Sequence, residues 1–370
     1  MKLLALTSSR ADYSILFPLL SKLKNDKFFN LDIVAFGTHL SKKHGQTIDL
    51  IIKDGFDIKY TFETNPTSDT PQAISQAMSN TILLFTKIWE KETYDLILVI
   101  GDRYEMFAAC VSSIPFNIKI GHIHGGETTL GAFDDCLRNS ITQMASIHFT
   151  AAQEYKMRAI QIKGNDECVF NVGALSIDNL KKLNLLTVKE FKKIFKIDLA
   201  LPSILITFHP ETKGYHKNEE YVSILIDTLR ELVDFQLIIT MPNTDTMGLK
   251  IREAFHKFTA ESKNVIVVEN FGTIGYLSCM KFCKIMLGNT SSGFIEASFF
   301  PKHVINIGKR QKGRIVTSNI VNVPIEKTQI LDAIKGNKKF KPDNYSGIYG
   351  NGEAADKIIS ILKKDGLKKI

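Results

Sequence analysis

No apolar run in this chain approaches the roughly 20 residues that a bilayer crossing requires. The longest, such as Leu96–Ile100 and Ile204–Phe208, have the length of strands. The Leu-rich run after Met1-Lys2 is too brief for a secretory leader and lacks a small-residue cleavage site. These absences predict a soluble, cytoplasmic protein with no membrane partner. Cysteine is scarce: five residues, an odd number, widely scattered and without a C-x-x-C pair, which argues against a disulfide framework and a zinc ribbon. Cys279 and Cys283 lie one helical turn apart and read as a buried helix face. Internal repeats and low-complexity segments are also missing. The basic runs Lys181-Lys182 to Lys196, Lys335 to Lys341 and Lys363-Lys364 to Lys368-Lys369 lack interleaved aromatics and any zinc-finger or RNA-recognition signature. They read as solvated faces, so nucleic acid is not an expected partner.

What is present is ordinary globular material. The 370 residues are 44% hydrophobic and 23% charged, enough for two domains with separate cores. Lys and Arg (47) outnumber Asp and Glu (39), and the resulting charge of +8 suits an anionic partner.

Short β-branched runs alternate with stretches of helical period, the rhythm of a parallel sheet. The first series is Leu3–Leu6, a helix from about Ser14 to Lys24, Leu31–Phe36, Leu96–Ile100, a helix near Tyr104–Ser113, Ile118–Ile123, a helix opening near Asp134, Ile147–Thr150, a helix near Ala152–Ile162, and Val169–Val172. A Lys-rich, less apolar stretch follows Gly173. The rhythm restarts with Ser203–Phe208, Phe235–Thr240, Val265–Val268, Ile285–Leu287, His303–Ile307 and Ile320–Val323. The expected architecture is α/β: two Rossmann-like domains with parallel sheets, covering 1–172 and 173–352, with a closing helix in 353–370 packed back on the first. An interdomain cleft would hold the ligand.

Gly288-Asn289-Thr290-Ser291-Ser292-Gly293 follows a strand and precedes Phe294–Phe299, which reads as a helix. Small residues there let N–H groups and the hydroxyls of Thr290, Ser291 and Ser292 approach a phosphate. The run is neither a Walker motif nor G-x-G-x-x-G, and a capped structural turn would look alike. Glu296, one turn on, is within reach of ribose hydroxyls, or is a plain surface residue. Arg10, after Thr7-Ser8-Ser9, and Arg103, in Gly101-Asp102-Arg103, sit at strand ends where a guanidinium can grip phosphate. Arg138 and Arg310 add to that set.

In Gly121-His122-Ile123-His124-Gly125-Gly126-Glu127 the two histidines point to one face of a strand. His-x-His with a Glu is a metal-ligating pattern, but no fourth ligand stands at close spacing. The remaining readings are a structural His122 and acid–base work by His124 or Glu127. Asp134 and Asp135 open a helix, where capping explains one carboxylate but not readily two. His209, stopped by Pro210, ends its strand at a position that favours solvent or ligand.

The ordered set Ser9-Arg10-Ala11-Asp12-Tyr13, Gly101-Asp102-Arg103-Tyr104-Glu105, His122 to Glu127, Asp134-Asp135 through Arg138, His209-Pro210-Glu211, Gly288 to Gly293 and Gly308 to Arg314 resembles the hydrolysing UDP-N-acetylglucosamine 2-epimerases of sialic-acid-type sugar synthesis. The resemblance spans nearly the whole chain. It implies a glycosyltransferase-B-like fold, no metal, no nicotinamide or other cofactor, a nucleotide-sugar substrate and a homo-oligomer, dimer or tetramer. The implied reaction eliminates UDP to give a 2-acetamidoglucal, to which water adds with inversion at C2, yielding N-acetylmannosamine.

The resemblance also implies roles. Asp102 and Asp134 match acid–base carboxylates, with Arg138 one turn after Asp134; His209 matches a residue near the diphosphate. Thr290 and Ser291, with Ser292 adjacent, match phosphate-binding hydroxyls and Glu296 the ribose-binding carboxylate. Arg10, Arg103 and Arg310 match nucleotide or phosphate contacts. Two positions depart from the pattern. His124 stands where some members carry a catalytic Glu, leaving His124 or Glu127 to transfer that proton, and Asn139 stands where members often have His. A sister group acts on the UDP- or GDP-linked 2,4-diacetamido-2,4,6-trideoxy sugar. UDP-N-acetylglucosamine is the favoured substrate and the diacetamido sugar the alternative, ahead of a glycosyltransferase of the same fold or a non-catalytic sensor.

Overall fold

The computed structural model describes residues 1–42, 45–242, 245–336, 340, 345 and 347–364. Lys338, Lys339 and Lys341 of one basic run, and residues 365–370 of the closing helix with Lys368 and Lys369, lie outside the described residues. The chain divides into two compact units. The first comprises Met1–Glu127, Asp134–Lys181 and Ile348–Ile370, and the second Thr128–Phe133 and Lys182–Gly347. Residues 173–181, expected with the second domain, therefore lie in the first. The reason is local bonding: the buried Asp178 carboxylate accepts the N–H groups of Ala354 and Ala355 at 2.9 Å each, and Asn179 donates to the carbonyl of Ser14 at 2.6 Å.

The first unit is built on seven parallel strands: β1 (Lys2–Thr7), β2 (Asn30–Phe36), β3 (Tyr60–Phe62), β4 (Leu96–Ile100), β5 (Ile120–Ile123), β6 (Ile147–Thr150) and β7 (Val169–Asn171), in the order β3-β2-β1-β4-β5-β6-β7. The second has β8 (Ser203–Thr207), β9 (Gln236–Thr240), β10 (Val265–Val268), β11 (Ile285–Gly288), β12 (Val304–Ile307) and β13 (Ile320–Val323), ordered β10-β9-β8-β11-β12-β13. The apolar runs Leu96–Ile100 and Ser203–Thr207 are buried along their whole length. That is why they read as continuous rather than alternating: a parallel strand covered on both faces has no solvent side. Among the described residues no helix is long and apolar enough to cross a membrane.

Both sheets are doubly wound, as expected, and each has one point where the strand order reverses. In the first unit it falls between β1 and β4, in the second between β8 and β11. In sheets of this class ligands bind outside the carboxyl ends of the strands at that reversal. The helix after β1 opens with Arg10, the loop after β4 carries Asp102 and Arg103, the loop after β8 carries His209, and the turn after β11 carries Thr290 to Ser292.

Some boundaries differ from the sequence reading. The first helix runs Arg10–Lys24 rather than from Ser14, because the Ser9 hydroxyl caps it by accepting the Asp12 N–H at 3.3 Å. Phe294–Phe299 is not one helix. A single 3-10 turn, Ser291–Gly293, precedes a four-residue helix, Glu296–Phe299. A helix dipole therefore adds little at this loop, and any phosphate binding falls to individual N–H and O–H groups.

Candidate active site

In the first unit the Ser8 backbone N–H and hydroxyl both donate to the Asp12 carboxylate, at 3.1 and 2.7 Å. Burial raises the Asp12 carboxyl above its usual range, and the Arg103 guanidinium opposes that rise. Arg103 itself donates to Glu105 at 2.9 Å, and the Glu105 side chain is fully buried. A phosphate contact by Arg103 would share the guanidinium with Glu105. Arg10, the first helical residue, is half-buried beside this cluster in sequence. His39 bridges the Thr7 hydroxyl (2.8 Å) and the Thr47 hydroxyl (2.9 Å), and burial holds its imidazole down at about 4.

Asp102 accepts from the guanidinium of Arg138, which is almost wholly buried while Asp102 keeps a partly exposed edge. The helix Asp134–Met144 thus supplies the cation that orients the carboxylate at the end of β4. Its first turn separates the two aspartates. Asp135 accepts from Asn139 at 3.3 Å and lies 3.7 Å from Arg158, a structural assignment, while Asp134 is 9% exposed at the helix start. Asn139, the departure from the family pattern, serves here as a brace for Asp135.

His122 is buried with both ring nitrogens engaged: Nε2 lies 2.8 Å from the Gly101 carbonyl and Nδ1 3.2 Å from the Thr142 hydroxyl. The carbonyl can only accept, so Nε2 carries the proton. Burial depresses its pKa to about 3. His122 is a tie between β5, the β4 loop and the Asp134–Met144 helix. His124 faces a different partner, Glu127, at 2.5 Å. Among the described residues no group of three His, Cys, Asp or Glu side chains is placed to hold a metal ion.

In the second unit, Gly288 has a φ of 143°, and a Cβ there would sit 1.9 Å from the Thr207 carbonyl oxygen. Only glycine permits that approach of β11 to β8. The next residue, Asn289, is fully buried and pairs both ways with the backbone of His209, accepting its N–H at 2.7 Å and donating to its carbonyl at 2.8 Å. The Asn289 carbonyl in turn accepts from Gln311 at 2.8 Å and Arg310 at 3.4 Å. Glu211, 5% exposed, accepts the backbone N–H groups of Lys309 at 2.5 Å and Arg310 at 3.1 Å. Gly308 precedes them, and a Cβ on it would lie 2.3 Å from the same carboxylate oxygen. His209, Asn289, Glu211 and the Gly308–Gln311 turn are therefore one bonded assembly that presents Arg310, whose side chain also lies 3.8 Å from Asp245.

The Thr290, Ser291 and Ser292 hydroxyls occupy the turn beside this assembly. Ser292 Oγ is 3.1 Å from Thr290 Oγ1 and 2.6 Å from the hydroxyl of Tyr276, which burial pushes up to about 12. Ser291 is exposed, and Glu296 half-buried in the first turn of its short helix. The segment Thr128–Phe133 also belongs here. Leu130 N–H donates to the Lys312 carbonyl at 3.0 Å and Phe133 N–H to the Thr212 hydroxyl at 2.9 Å.

Each unit thus gathers its share of the expected residues. The first brings Asp102, Arg138, His124, Glu127 and Asp134 to the carboxyl ends of β4 and β5, a set suited to proton transfer. The second brings His209, Arg310 and three hydroxyls to the β8–β11 reversal, a set suited to an anionic ligand. Asp12, Glu105, Glu211, Asn289 and Tyr276 were not singled out from the sequence as site residues. All but Tyr276 stood inside motifs that were: Asp12 after Arg10-Ala11, Glu105 after Arg103-Tyr104, Glu211 after His209-Pro210 and Asn289 after Gly288.

A family model described as UDP-N-acetylglucosamine 2-epimerase matches residues 21–363. A GDP/UDP-N,N'-diacetylbacillosamine 2-epimerase (hydrolyzing) of Campylobacter jejuni is 34% identical over 342 residues, covering 92% of this chain and 88% of its own. A UDP-N,N'-diacetylbacillosamine 2-epimerase (hydrolyzing) of Legionella pneumophila is 30% identical over 363 residues, covering 98% and 95%. Among solved structures, a UDP-GlcNAc 2-epimerase from Neisseria meningitidis bound to UDP-GlcNAc superposes with a TM-score of 0.84 at 18% identity, covering 98% of this chain and 100% of that one. That likeness shows the fold, of the glycosyltransferase-B-like class.

Proposed function

The chain belongs to the UDP-N-acetylglucosamine 2-epimerase family, and from that premise we propose that it is a hydrolysing 2-epimerase whose substrate is a nucleotide-linked 2,4-diacetamido-2,4,6-trideoxyglucose of the N,N'-diacetylbacillosamine type. The single observation that supports the chemistry is that each sheet reversal carries one residue set: acid–base groups around Asp102 in one unit and a set suited to an anion around Arg310 in the other. The choice of sugar rests on the names of the Campylobacter and Legionella relatives. It moves the weight from UDP-N-acetylglucosamine, favoured by sequence, to the alternative weighed beside it. UDP-N-acetylglucosamine stays as the second reading because the family description carries it.

The reaction balances as one molecule of sugar nucleotide plus one of water giving a free 2-acetamido sugar and the nucleoside diphosphate. The C2 proton leaves to a base while the C1–O bond breaks and its electron pair departs with the diphosphate, giving a glycal. Water then returns oxygen to C1 and a proton to the opposite face of C2. The sugar C–H is weakly acidic, so departure of the diphosphate must be assisted, and Arg310, His209 and the hydroxyls of Thr290, Ser291 and Ser292 are suited to receive its charge. Glu296 is suited to ribose hydroxyls, and Arg10 and Arg103 to further anionic oxygens. The two proton transfers need groups on two faces of the sugar, for which Asp102, Asp134 and the His124–Glu127 pair are the candidates.

Release of UDP from each of the two sugar nucleotides, followed by coupled assay on purified protein, tests this reading. A kcat/KM at least about tenfold higher on the diacetamido sugar, a difference of about 1.4 kcal/mol in transition-state binding, is the expected result. A preference for UDP-N-acetylglucosamine selects the second reading, and no release from either removes the enzyme assignment.

A further inference from the structure

His124 follows β5 directly, with its backbone at φ 64°, a left-handed conformation that a side-chain-bearing residue seldom adopts. That geometry turns the imidazole toward the residue three positions on. Nδ1 lies 2.5 Å from Glu127 Oε1, and the two side chains are 7% and 3% exposed. The other nitrogen, Nε2, is buried and makes no hydrogen bond among the described residues. Of the other buried histidines of this unit, His148 bonds through neither ring nitrogen among the described residues, and two more bond through both, so a carboxylate on one nitrogen with the other left open is particular to His124. His122 uses both nitrogens, on Gly101 and Thr142, and His39 uses both, on Thr7 and Thr47. Those two are fastened at each end. His124 is fastened at one end, by a carboxylate.

A carboxylate bonded to Nδ1 keeps the ring proton on that nitrogen, fixes the plane of the ring and leaves the Nε2 lone pair as the basic site. It also steadies the imidazolium once a proton arrives. We infer that His124 Nε2 is the base that takes the C2 proton, and that Glu127 is a positioning residue that does not itself touch the sugar. This rests on the proposed function and divides the labour within it. As Nε2 binds the proton, the C2–H electron pair forms the C1–C2 double bond and the C1–O pair leaves with the diphosphate. The imidazolium then returns its proton to water, and a carboxylate, Asp102 or Asp134, serves the opposite face in the hydration step.

The test compares wild type with His124→Gly, which the left-handed backbone accepts without strain, His124→Gln and Glu127→Gln. UDP affinity, measured by calorimetry on each, shows that the variants are folded and that the nucleotide site is intact. The inference expects both His124 variants to lose kcat by about 100-fold or more, with UDP affinity within about twofold of wild type. Added imidazole should restore His124→Gly by about tenfold or more, acting as the missing base. Glu127→Gln should lower kcat by about 10- to 100-fold while leaving KM nearly unchanged, as expected of a residue that acts through another. A nitrogen-resolved NMR spectrum of the imidazole at pH 8 should show Nδ1 protonated in wild type.

His124→Gly with near wild-type kcat, or inactive but unresponsive to imidazole with UDP affinity retained, overturns the assignment. So does an unprotonated Nδ1. A wild-type protein that releases no UDP from either sugar nucleotide overturns the proposed function, and this inference with it, so the two failures are distinct.

Discussion

Replacing Asn289 with alanine removes the reciprocal amide pair that ties the loop after β11 to the loop after β8. Both bonds are short, 2.7 and 2.8 Å, and Asn289 is fully buried, with His209 only 8% exposed. Alanine fills neither role, so the N–H and C=O of His209 lose their bonds to the Asn289 amide. Each buried bond lost costs about 1–3 kcal/mol, so a loss of about 2–6 kcal/mol is expected in the second unit. His209 and the Gly308–Gln311 turn depend on this residue, so UDP affinity should fall by about tenfold or more. Trp89, the chain's only tryptophan, belongs to the first unit, so fluorescence reports on the wrong region. Hydrogen exchange of peptides covering Ser203–Thr207 and Ile285–Gly288 is the suitable assay, with UDP calorimetry alongside. Asn289→Asp keeps the acceptor for His209 N–H, loses the donor and buries a charge, and should be no better than alanine. Unchanged exchange in both strands together with unchanged UDP affinity would refute the reasoning.

Gly288→Ala forces a Cβ against the Thr207 carbonyl at a φ of 143° and should abolish soluble, UDP-binding protein, whereas the same exchange at Gly45, where no neighbouring atom lies within 4 Å, should leave UDP binding intact. Glu211→Gln keeps the size but replaces the charged acceptor with a neutral amide, weakening the Lys309 and Arg310 N–H bonds that converge on Oε1, so KM should rise about 5- to 20-fold with kcat less affected; an unchanged KM removes Glu211 from the support of Arg310. Asp102→Asn should retain UDP affinity and lose kcat by about 100-fold or more, and a near wild-type rate removes Asp102 from the mechanism. His39, His122 and His148 are all held below their unfolded pKa by burial, to about 4, 3 and 4. Their stabilisation is complete above pH 6.5 and is lost as pH falls toward 4, since the unfolded chain then binds protons that the folded chain does not. Each contributes a slope of about 1.4 kcal/mol per pH unit, and Asp12, whose carboxyl burial raises, offsets part of it. Urea midpoints at pH 7, 6 and 5 should therefore fall, and a flat series would contradict the assignment of three neutral buried imidazoles.

The parts of the fold legible in the sequence are those where burial leaves a direct mark on composition. Leu96–Ile100 and Ile320–Val323 coincide with β4 and β13, and Tyr104–Ser113 with its helix, because apolar runs and helical period are local signals. Tyr60–Phe62 went unread because a three-residue strand beside β2 carries no period of its own. The helix expected at Phe294 failed for a related reason: Phe294, Ile295 and Ala297 are buried, but the chain turns sharply at Ser291–Gly293 before four helical residues. The candidate site residues stood out because Asp, His and Arg at strand ends are rare enough to notice. Their supports were not. Asn289 finds His209 eighty residues away, Glu211 finds Lys309 ninety-eight away, and Arg138 finds Asp102 thirty-six away. Partners at such separations are chosen by the topology of the sheet, which a linear reading supplies only in outline. The pairing of His124 with Glu127 is local, three residues apart, yet it depends on a positive φ that nothing in His-Gly-Gly-Glu specifies alone.

Proton NMR in D₂O on purified protein with the UDP-linked diacetamido sugar, followed by UDP-N-acetylglucosamine, tests the central claim most directly. Elimination and rehydration require that the hydrogen at C2 of the product come from solvent. The account predicts free, C2-inverted 2-acetamido sugar carrying deuterium at C2, appearing in step with UDP. Product that retains the original C2 hydrogen, or UDP released together with an uninverted sugar, would contradict it.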